Sequence, residues 1–186
     1  MRITKLKLML LAIVGLTSLV GYFGGATSKA AMLFSRTNAD WKGAESFSLT
    51  GAGPNVARCG AFPENIELSF SGSGIDTEGG LFDVVASACT NSVTNAIFDL
   101  KATDTYVQTG DQVFIEGDSF VQVINPANCT ASNSHGVNFR VAGGTGGHAG
   151  ATGGGRFNLF SNLTPCNGQV APAQVSFEGW IKRAGE

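Results

Sequence analysis

Two acidic residues lie inside otherwise apolar segments, and they are the candidates for acid–base chemistry in this chain. Asp83 falls within the apolar run 81–88, and Asp99 falls within the run 96–100. If either side chain points into a protein interior, loss of hydration disfavours the charged form and raises the pKa of the carboxyl. Such a carboxyl can exchange a proton near neutral pH. We therefore take Asp83 and Asp99 as the catalytic candidates.

The other reactive residue types form no recognisable catalytic or metal site. Both histidines, His135 and His148, lie in glycine- or serine-rich loops, where histidine is usually solvated, and no G-x-S-x-G nucleophile elbow is present. Five further acids cluster in two hairpins without the spacing of a calcium loop, which favours a role in turns and solubility. These acids are Asp76, Glu78, Asp111, Glu116 and Asp118. We predict no metal and no cofactor.

The segment 1–30 has the three parts of a secretory signal peptide. A basic start precedes the apolar stretch 8–23, and Ser28 and Ala30 place small residues at positions −3 and −1 of a cleavage point. An uncleaved anchor is the alternative, because the apolar stretch approaches the roughly 17 residues that can span a bilayer. We predict cleavage before residue 31, a secreted or periplasmic location, and no stable membrane insertion afterwards.

The charge of the mature chain excludes one class of partner. Removal of the signal peptide leaves eight basic residues against fourteen acidic ones, a net charge of −6. This negative net charge repels the phosphate backbone of a nucleic acid, and no run of Lys and Arg residues offsets the repulsion locally. We therefore predict no nucleic-acid partner, and the missing basic patch also argues against docking on anionic lipid. The sequence leaves the oligomeric state open.

Four cysteines, Cys59, Cys89, Cys129 and Cys166, have spacings that favour disulfides over a metal site. None of them forms a C-x-x-C pair, which argues against structural zinc. An even number of cysteines in an exported chain is typical of two disulfides, and buried free thiols are the alternative. Spacing alone permits three pairings.

Apolar residues from residue 44 onward recur with a period of two, as in half-buried antiparallel strands. Glycine is frequent, at 26 of 186 residues, and glycine-containing turn signals separate the apolar runs. Eight or nine short strands at this spacing predict a sandwich or barrel. We predict an all-β fold with a lead-in over 31–43 and a single domain over 44–186.

The order of the predicted strands selects one cysteine pairing. Cys59 precedes the strand 65–71, the chain turns at 72–79, and the return strand ends at Cys89, so both cysteines fall at one end of one hairpin. The strands on either side of the glycine-rich segment place the other two cysteines together in the same way. We therefore predict two disulfides: Cys59 with Cys89, and Cys129 with Cys166.

The most distinctive segment is glycine-rich and spans 143–155. It formally matches the dinucleotide-binding pattern G-x-G-x-x-A, which requires a helix to begin within it. The sequence Ala-Thr-Gly-Gly-Gly over 151–155 cannot start a helix before the next strand. We therefore interpret the segment as a tight strand–turn–strand connection that uses positive φ and close backbone approach. Its turn glycines are Gly143, Gly144, Gly146, Gly150 and Gly153.

The same segment resembles a turn of known β-barrels. Residues 143–146 and 149–153 are similar to the G-G-T-G-x-F-x-G-A-x-G turn of allene oxide cyclase-like and dirigent-like barrels, which include small exported bacterial proteins of unknown function. Looser similarities extend the resemblance over 65–181. His148 departs from the pattern, which has an aromatic residue packed under the turn at this position. The resemblance implies an eight-stranded, mostly antiparallel barrel whose interior is filled or holds one small ligand.

Two classes of function are compatible with such a barrel. In the first, the protein is a non-catalytic exported module that binds a small apolar ligand or serves a structural role at the cell surface. In the second, it is a cyclase, an isomerase or a dirigent-type coupling protein, with Asp83 or Asp99 as the acid. No catalytic residue of the plant enzymes can be carried over by motif, and a fold does not determine a function. The absence of a recognisable polar constellation favours the first class.

Overall fold

The structure is a computed structural model that describes residues 40–133, 135–163 and 170–185. The predicted signal peptide lies outside these residues. One four-residue helix, α1 (Val56–Cys59), and one 3₁₀ turn (Gly146–His148) accompany ten strand segments in the described chain. The segments are β1 (Asp40–Gly53), β2 (Asn65–Asp76), β3 (Gly80–Asn91), β4 (Ala96–Tyr106), β5 (Gln112–Gly117), β6 (Phe120–Asn125), β7 (Thr130–Asn133), β8 (Val137–Gly144), β9 (Thr152–Leu163) and β10 (Val170–Lys182). Within the described part of the chain, no helix is long and apolar enough to cross a membrane.

The strands close into an antiparallel barrel. The strand order β1-β2-β3-β4-β5-β8-β9-β10 returns to its start because β10 pairs with both β9 and β1. Closure leaves no unpaired edge along this circuit, which removes the main route to edge-to-edge aggregation. The predicted all-β, eight-stranded antiparallel barrel is therefore confirmed.

The wall between β4 and β9 has two levels. At one level, β5 pairs with β4 and β8 pairs with β9. At the other level, β6 pairs with the start of β4 and β7 pairs with the end of β9. Thus β5 with β6, and β7 with β8, each form one interrupted barrel strand, so ten segments give eight barrel strands. Asp99 in β4 has a φ of 49°, and it lies where the partner of β4 changes from β6 to β5.

Two glycine-rich segments predicted as turns lie partly in strands. Strand β2 extends to Asp76, so most of the predicted turn 72–79 is strand, and Gly153 lies within β9. The glycines serve close packing in these strands: a Cβ on Gly74 would lie 2.3 Å from the Phe82 ring. The first strand also begins at Asp40, four residues before the predicted domain start at 44.

The turn between β8 and β9 is shorter than the segment 143–155. Gly143 and Gly144 end β8, whereas Gly146 and Gly150 lie in the turn with φ of 55° and 70°. A Cβ on Gly144 would lie 2.3 Å from the nearest backbone oxygen. The glycines therefore serve positive φ in the turn and close approach of backbone at its base.

The cysteines are oxidised where the structure describes them. Cys59 and Cys89 form a disulfide with a Cα–Cα distance of 5.5 Å, which confirms the first predicted pair. The bridge ties α1 to the end of β3. Cys129 is also disulfide-bonded, and Cys166 lies outside the described residues.

Candidate functional site

The lumen of the barrel is formed by every second residue of each strand. In β1 the side chains of the buried Trp41 and Phe47 lie on the inward face. Glu45 is separated from both by an even number of positions, so it lies on the same face of the strand. In β4, Asp104 and Tyr106 are fully buried and share the inward face with Ala102. Strand alternation therefore places two carboxyl groups, those of Glu45 and Asp104, inside an otherwise apolar core.

A cavity with a volume of about 60 Å³ lies in this core. That volume is enough for a few water molecules or for part of a small organic molecule. Apart from two carboxyl groups, its wall consists of aromatic and aliphatic side chains. The lining residues are Trp41, Glu45, Phe47, Ala86, Leu100, Ala102, Asp104, Ile115, Phe139, Phe157, Leu159, Val175 and Phe177.

Asp104 is the most unusual residue of the lumen. Its side chain has an exposed fraction of 0%, and neither carboxyl oxygen has a hydrogen-bond partner among the described residues. Burial raises the pKa of Asp104 well above its usual range, and the negative charges of Glu45 and Asp76 raise it further. The neutral, protonated form of Asp104 is therefore favoured.

Glu45 is the second acid of the lumen. Burial raises the pKa of its carboxyl from 4.5 to about 7. The residue as a whole is half-buried, and it lines both the cavity and an open groove that Ala44 and Ser46 also border. Its side chain therefore exchanges a proton within the physiological pH range.

Hydrogen bonds organise one end of the lumen around Asp76. One carboxyl oxygen accepts from Trp41 Nε1 at 2.9 Å and from the Tyr106 hydroxyl at 2.7 Å. The other accepts from the backbone N–H groups of Glu78 and Gly79, at 2.9 and 2.8 Å. Burial, together with the Asp76 charge, raises the pKa of Tyr106, so its hydroxyl stays a donor. Asp76 has four donors, in contrast to Asp104, and serves structure.

His148 lies under the glycine turn and closes the same end. The sequence-based expectation of a solvated loop histidine is wrong for this residue, because its exposed fraction is only 3%. Its ring stacks on Tyr106 with a centroid distance of 5.0 Å, so it occupies the place of an aromatic residue beneath the turn. Burial lowers the pKa of His148, and nearby Arg183 lowers it further. A neutral imidazole is therefore favoured. His135, in contrast, is exposed.

The two acids singled out from the sequence lie outside the lumen. Asp83 is exposed on β3 between the inward-facing Phe82 and Val84. Asp99 accepts a hydrogen bond from Arg58 Nε at 2.6 Å, and this contact holds the pKa of Asp99 below its usual range. Neither carboxyl therefore meets the condition, a desolvated group facing the interior, on which its candidacy depended.

Arg58 connects Asp99 to a network of contacts around α1. Its guanidinium also donates to Ser87 Oγ at 2.7 Å and forms an ion pair with Glu67. These acceptors lie on β2, β3 and β4, so one side chain of α1 fastens the helix to three neighbouring strands. The fork of N–H donors on arginine suits such a contact.

The lumen acids could have been found from strand parity. Asp104 was missed because the apolar run 96–100 ended the predicted strand at Leu100, whereas β4 continues to Tyr106. Continued alternation through Ala102, Asp104 and Tyr106 is the sequence signal for an inward acid. Glu45 was missed because β1 carries few large apolar residues beyond Trp41 and Phe47.

No protein-family model and no curated protein matches this chain. Among the described residues, no group of three or more His, Cys, Asp or Glu side chains is arranged to hold a metal ion. The functional argument therefore rests on the geometry of the lumen.

Proposed function

We propose that the protein is an extracytoplasmic binding module that holds a small, mainly apolar ligand in the lumen of its barrel. The observation that carries this proposal is an apolar cavity bordered by Asp104, a fully buried carboxyl whose oxygens have no hydrogen-bond partner among the described residues. Ligand sites commonly combine an apolar lining with a few convergent polar groups. The lumen has this combination.

Asp104 is difficult to explain as a structural residue. Burying a polar group without a hydrogen bond costs about 1–3 kcal/mol in proteins, and nearby Asp76 shows how four donors avoid that cost. A valine or leucine at position 104 would continue the apolar lining. The presence of an aspartate here, with no hydrogen-bond partner among the described residues, therefore supports a role in contacting a ligand.

The barrel architecture and the sequence pattern of its glycine turn support a further proposal, that the chain is related to allene oxide cyclase-like and dirigent-like barrels. The disulfide between Cys59 and Cys89 supports export, because disulfides persist mainly in oxidising compartments. Both statements are independent of what the lumen binds.

Retention of small molecules by a lumen-blocked variant tests the proposed function. Ala102→Phe adds a ring inside the cavity, whereas Thr103→Phe adds one on the outer face of the same strand. Purified mature protein is incubated with a lipid extract, and retained compounds are identified by mass spectrometry. The parent and Thr103→Phe are expected to retain a compound that folded Ala102→Phe does not. Equal retention by both variants, or none by the parent, would contradict lumen binding.

Acid–base catalysis in the lumen is the second candidate function. The pKa of Glu45, raised to about 7 by burial, suits a general acid or base at neutral pH. Asp104, whose carboxyl pKa is also raised by burial, lines the same cavity. Conversion of the retained compound by the parent protein, with loss of conversion but not of retention in Glu45→Gln, would establish an enzyme. Unchanged recovery of the compound would favour a binding module.

A further inference from the structure

The polar groups of the lumen are biased toward one sign of charge. Glu45 and Asp104 are both acidic, and no Lys, Arg or His side chain is among the described residues that line the cavity. The indole N–H of Trp41 already donates to Asp76. A ligand in this space therefore lies beside two acidic residues, and no donor among the described residues competes for the oxygens of Asp104.

The apolar part of the lining has the same electrostatic preference. Five aromatic rings border the cavity, and the Trp41 ring lies 5.6 Å from Phe139 and 5.0 Å from Phe177, both in edge-on arrangements. The faces of aromatic rings carry partial negative charge and attract cations, an effect that strengthens when water is excluded. A ring that presents its face to the cavity therefore favours the same kind of guest as the carboxyl groups do.

We infer that the lumen binds a small apolar amine in its protonated form, with the ammonium group paired to Asp104 and Glu45 and the hydrocarbon part against the aromatic lining. This inference deepens the proposed function and rests on it. Three observations among the described residues carry it: the buried oxygens of Asp104 have no hydrogen-bond partner, Glu45 is a neighbour, and the charged side chains around the cavity are all acidic.

Other ligand classes fit this lumen less well. An anionic ligand would lose its hydration and face two acids. A neutral carbonyl compound can accept a hydrogen bond from the protonated Asp104 carboxyl, but it donates none, so the other carboxyl oxygen stays without a donor. An ammonium group has three donors and a charge that compensates an ionised carboxylate. It can thus satisfy Asp104 and Glu45 together, and pairing offsets the cost of burying the charges.

Charge pairing predicts that the affinity for the amine rises with pH. The titratable groups that face Asp104 are Glu45 on β1, Asp76 on β2 and Tyr106 on β4 itself, while β3, β5, β8, β9 and β10 contribute apolar lining. An ammonium favours ionised carboxylates, so its binding releases a proton wherever these acids are protonated. Its affinity then rises with pH by up to about tenfold per pH unit for each proton released. Binding of a neutral acceptor that uses a protonated carboxyl falls with pH instead.

The two tryptophans provide a readout of lumen binding. Trp41 lies in the lumen wall, whereas Trp180 is 47% exposed on the outside. NMR titration of their indole N–H signals with hexylamine, 2-hexanone and hexanoate, at pH 5.5 and 7.5, compares the ligand classes. Hexylamine is expected to shift the Trp41 signal and to bind about tenfold or more tightly at pH 7.5 than at pH 5.5. The Trp180 signal is the internal control.

Substitution of the acid identifies the partner of the ammonium. Asp104→Asn keeps the shape but removes the charge, and it is expected to weaken hexylamine binding by about 30-fold or more. Asp83→Asn on the outer face of β3 is the matched control and should bind as the parent does. If Asp104→Asn does not fold, Glu45→Gln is tested instead. It should reduce the number of protons released when hexylamine binds, which calorimetry measures in two buffers of different ionisation enthalpy.

Each outcome has a different meaning for the two proposals. If 2-hexanone shifts Trp41 at lower concentration than hexylamine, or if hexylamine binding weakens as pH rises, the amine inference is wrong and lumen binding stands. Binding of hexylamine that Asp104→Asn and Glu45→Gln leave unchanged also overturns the inference. If none of the three probes reaches Trp41 and no extract compound is retained, both proposals fail.

Discussion

Replacing Glu45 by glutamine should change how the stability of the protein depends on pH. Burial raises the pKa of Glu45 from 4.5 to about 7, so the folded protein keeps this proton over a range in which the unfolded chain has lost it. Unfolding then releases a proton, and the free energy of unfolding falls as pH rises through this range. Glutamine does not ionise, so the contribution disappears in Glu45→Gln.

The size of the effect follows from the displacement of the pKa. Raising it from 4.5 to about 7 corresponds to about 3 kcal/mol, since each tenfold change in proton affinity is worth about 1.4 kcal/mol. Relative to the parent, Glu45→Gln should therefore gain up to about 3 kcal/mol in free energy of unfolding between pH 4.5 and pH 8. Asp104 contributes with the same sign in both proteins, and its contribution is smaller in Glu45→Gln because the Glu45 charge that raises the pKa of Asp104 is absent.

Chemical denaturation with the disulfides intact measures this gain. Unfolding curves are recorded for the parent, for Glu45→Gln and for Glu178→Gln, an exposed glutamate on neighbouring β10, at several values of pH from 4.5 to 8. The difference between parent and Glu45→Gln should widen with pH, while Glu178→Gln runs parallel to the parent. A constant difference for Glu45→Gln would show that its carboxyl is hydrated in the folded state, and would refute the reasoning about the lumen.

Two further predictions concern the glycine turn and the disulfide. Gly144→Val should lower the free energy of unfolding by about 1–3 kcal/mol, because the added side chain meets backbone atoms. Gly53→Val is the control, since an added Cβ there has no neighbour within 4 Å, and it should leave the free energy of unfolding nearly unchanged in denaturation curves. Equal unfolding midpoints for the two variants would contradict close packing at the turn. Replacing Cys59 and Cys89 together by serine should cost about 3–4 kcal/mol for a loop of 30 residues. A loss well below 1 kcal/mol in the same assay would show that this bridge constrains the unfolded chain little.

Strand periodicity was sufficient to predict an all-β sandwich or barrel but not the limits of its strands. Glycines at 72 and 74 have the composition of a turn, yet they lie in β2, where they let Phe47 and Phe82 pack against the backbone. Glycine composition alone does not distinguish a turn from a close packing contact. The distinction depends on the neighbouring strand, which a local pattern cannot supply.

The interruption of two barrel strands was equally inaccessible to local patterns. The runs 113–115 and 120–124 indicate two strands, and the structure has β5 and β6 there. That they share one neighbour, β4, depends on the long-range register of Leu100 with Gly117 and of Ile97 with Phe120. Such pairing is a property of the closed sheet.

The carboxyl groups of this chain show why the candidate site could not be identified by residue type. Asp99 is held by Arg58 on the outer wall, Asp76 is buried with four donors, and Asp104 is buried with none among the described residues. All three are aspartates on strands of one sheet, so the difference lies in parity and in what the neighbouring strands present. A buried acid with a full set of donors stabilises the fold, whereas one without donors is destabilising until a ligand supplies them. This difference in donors makes Asp104, together with its neighbour Glu45, the part of the barrel that we expect to bind a ligand.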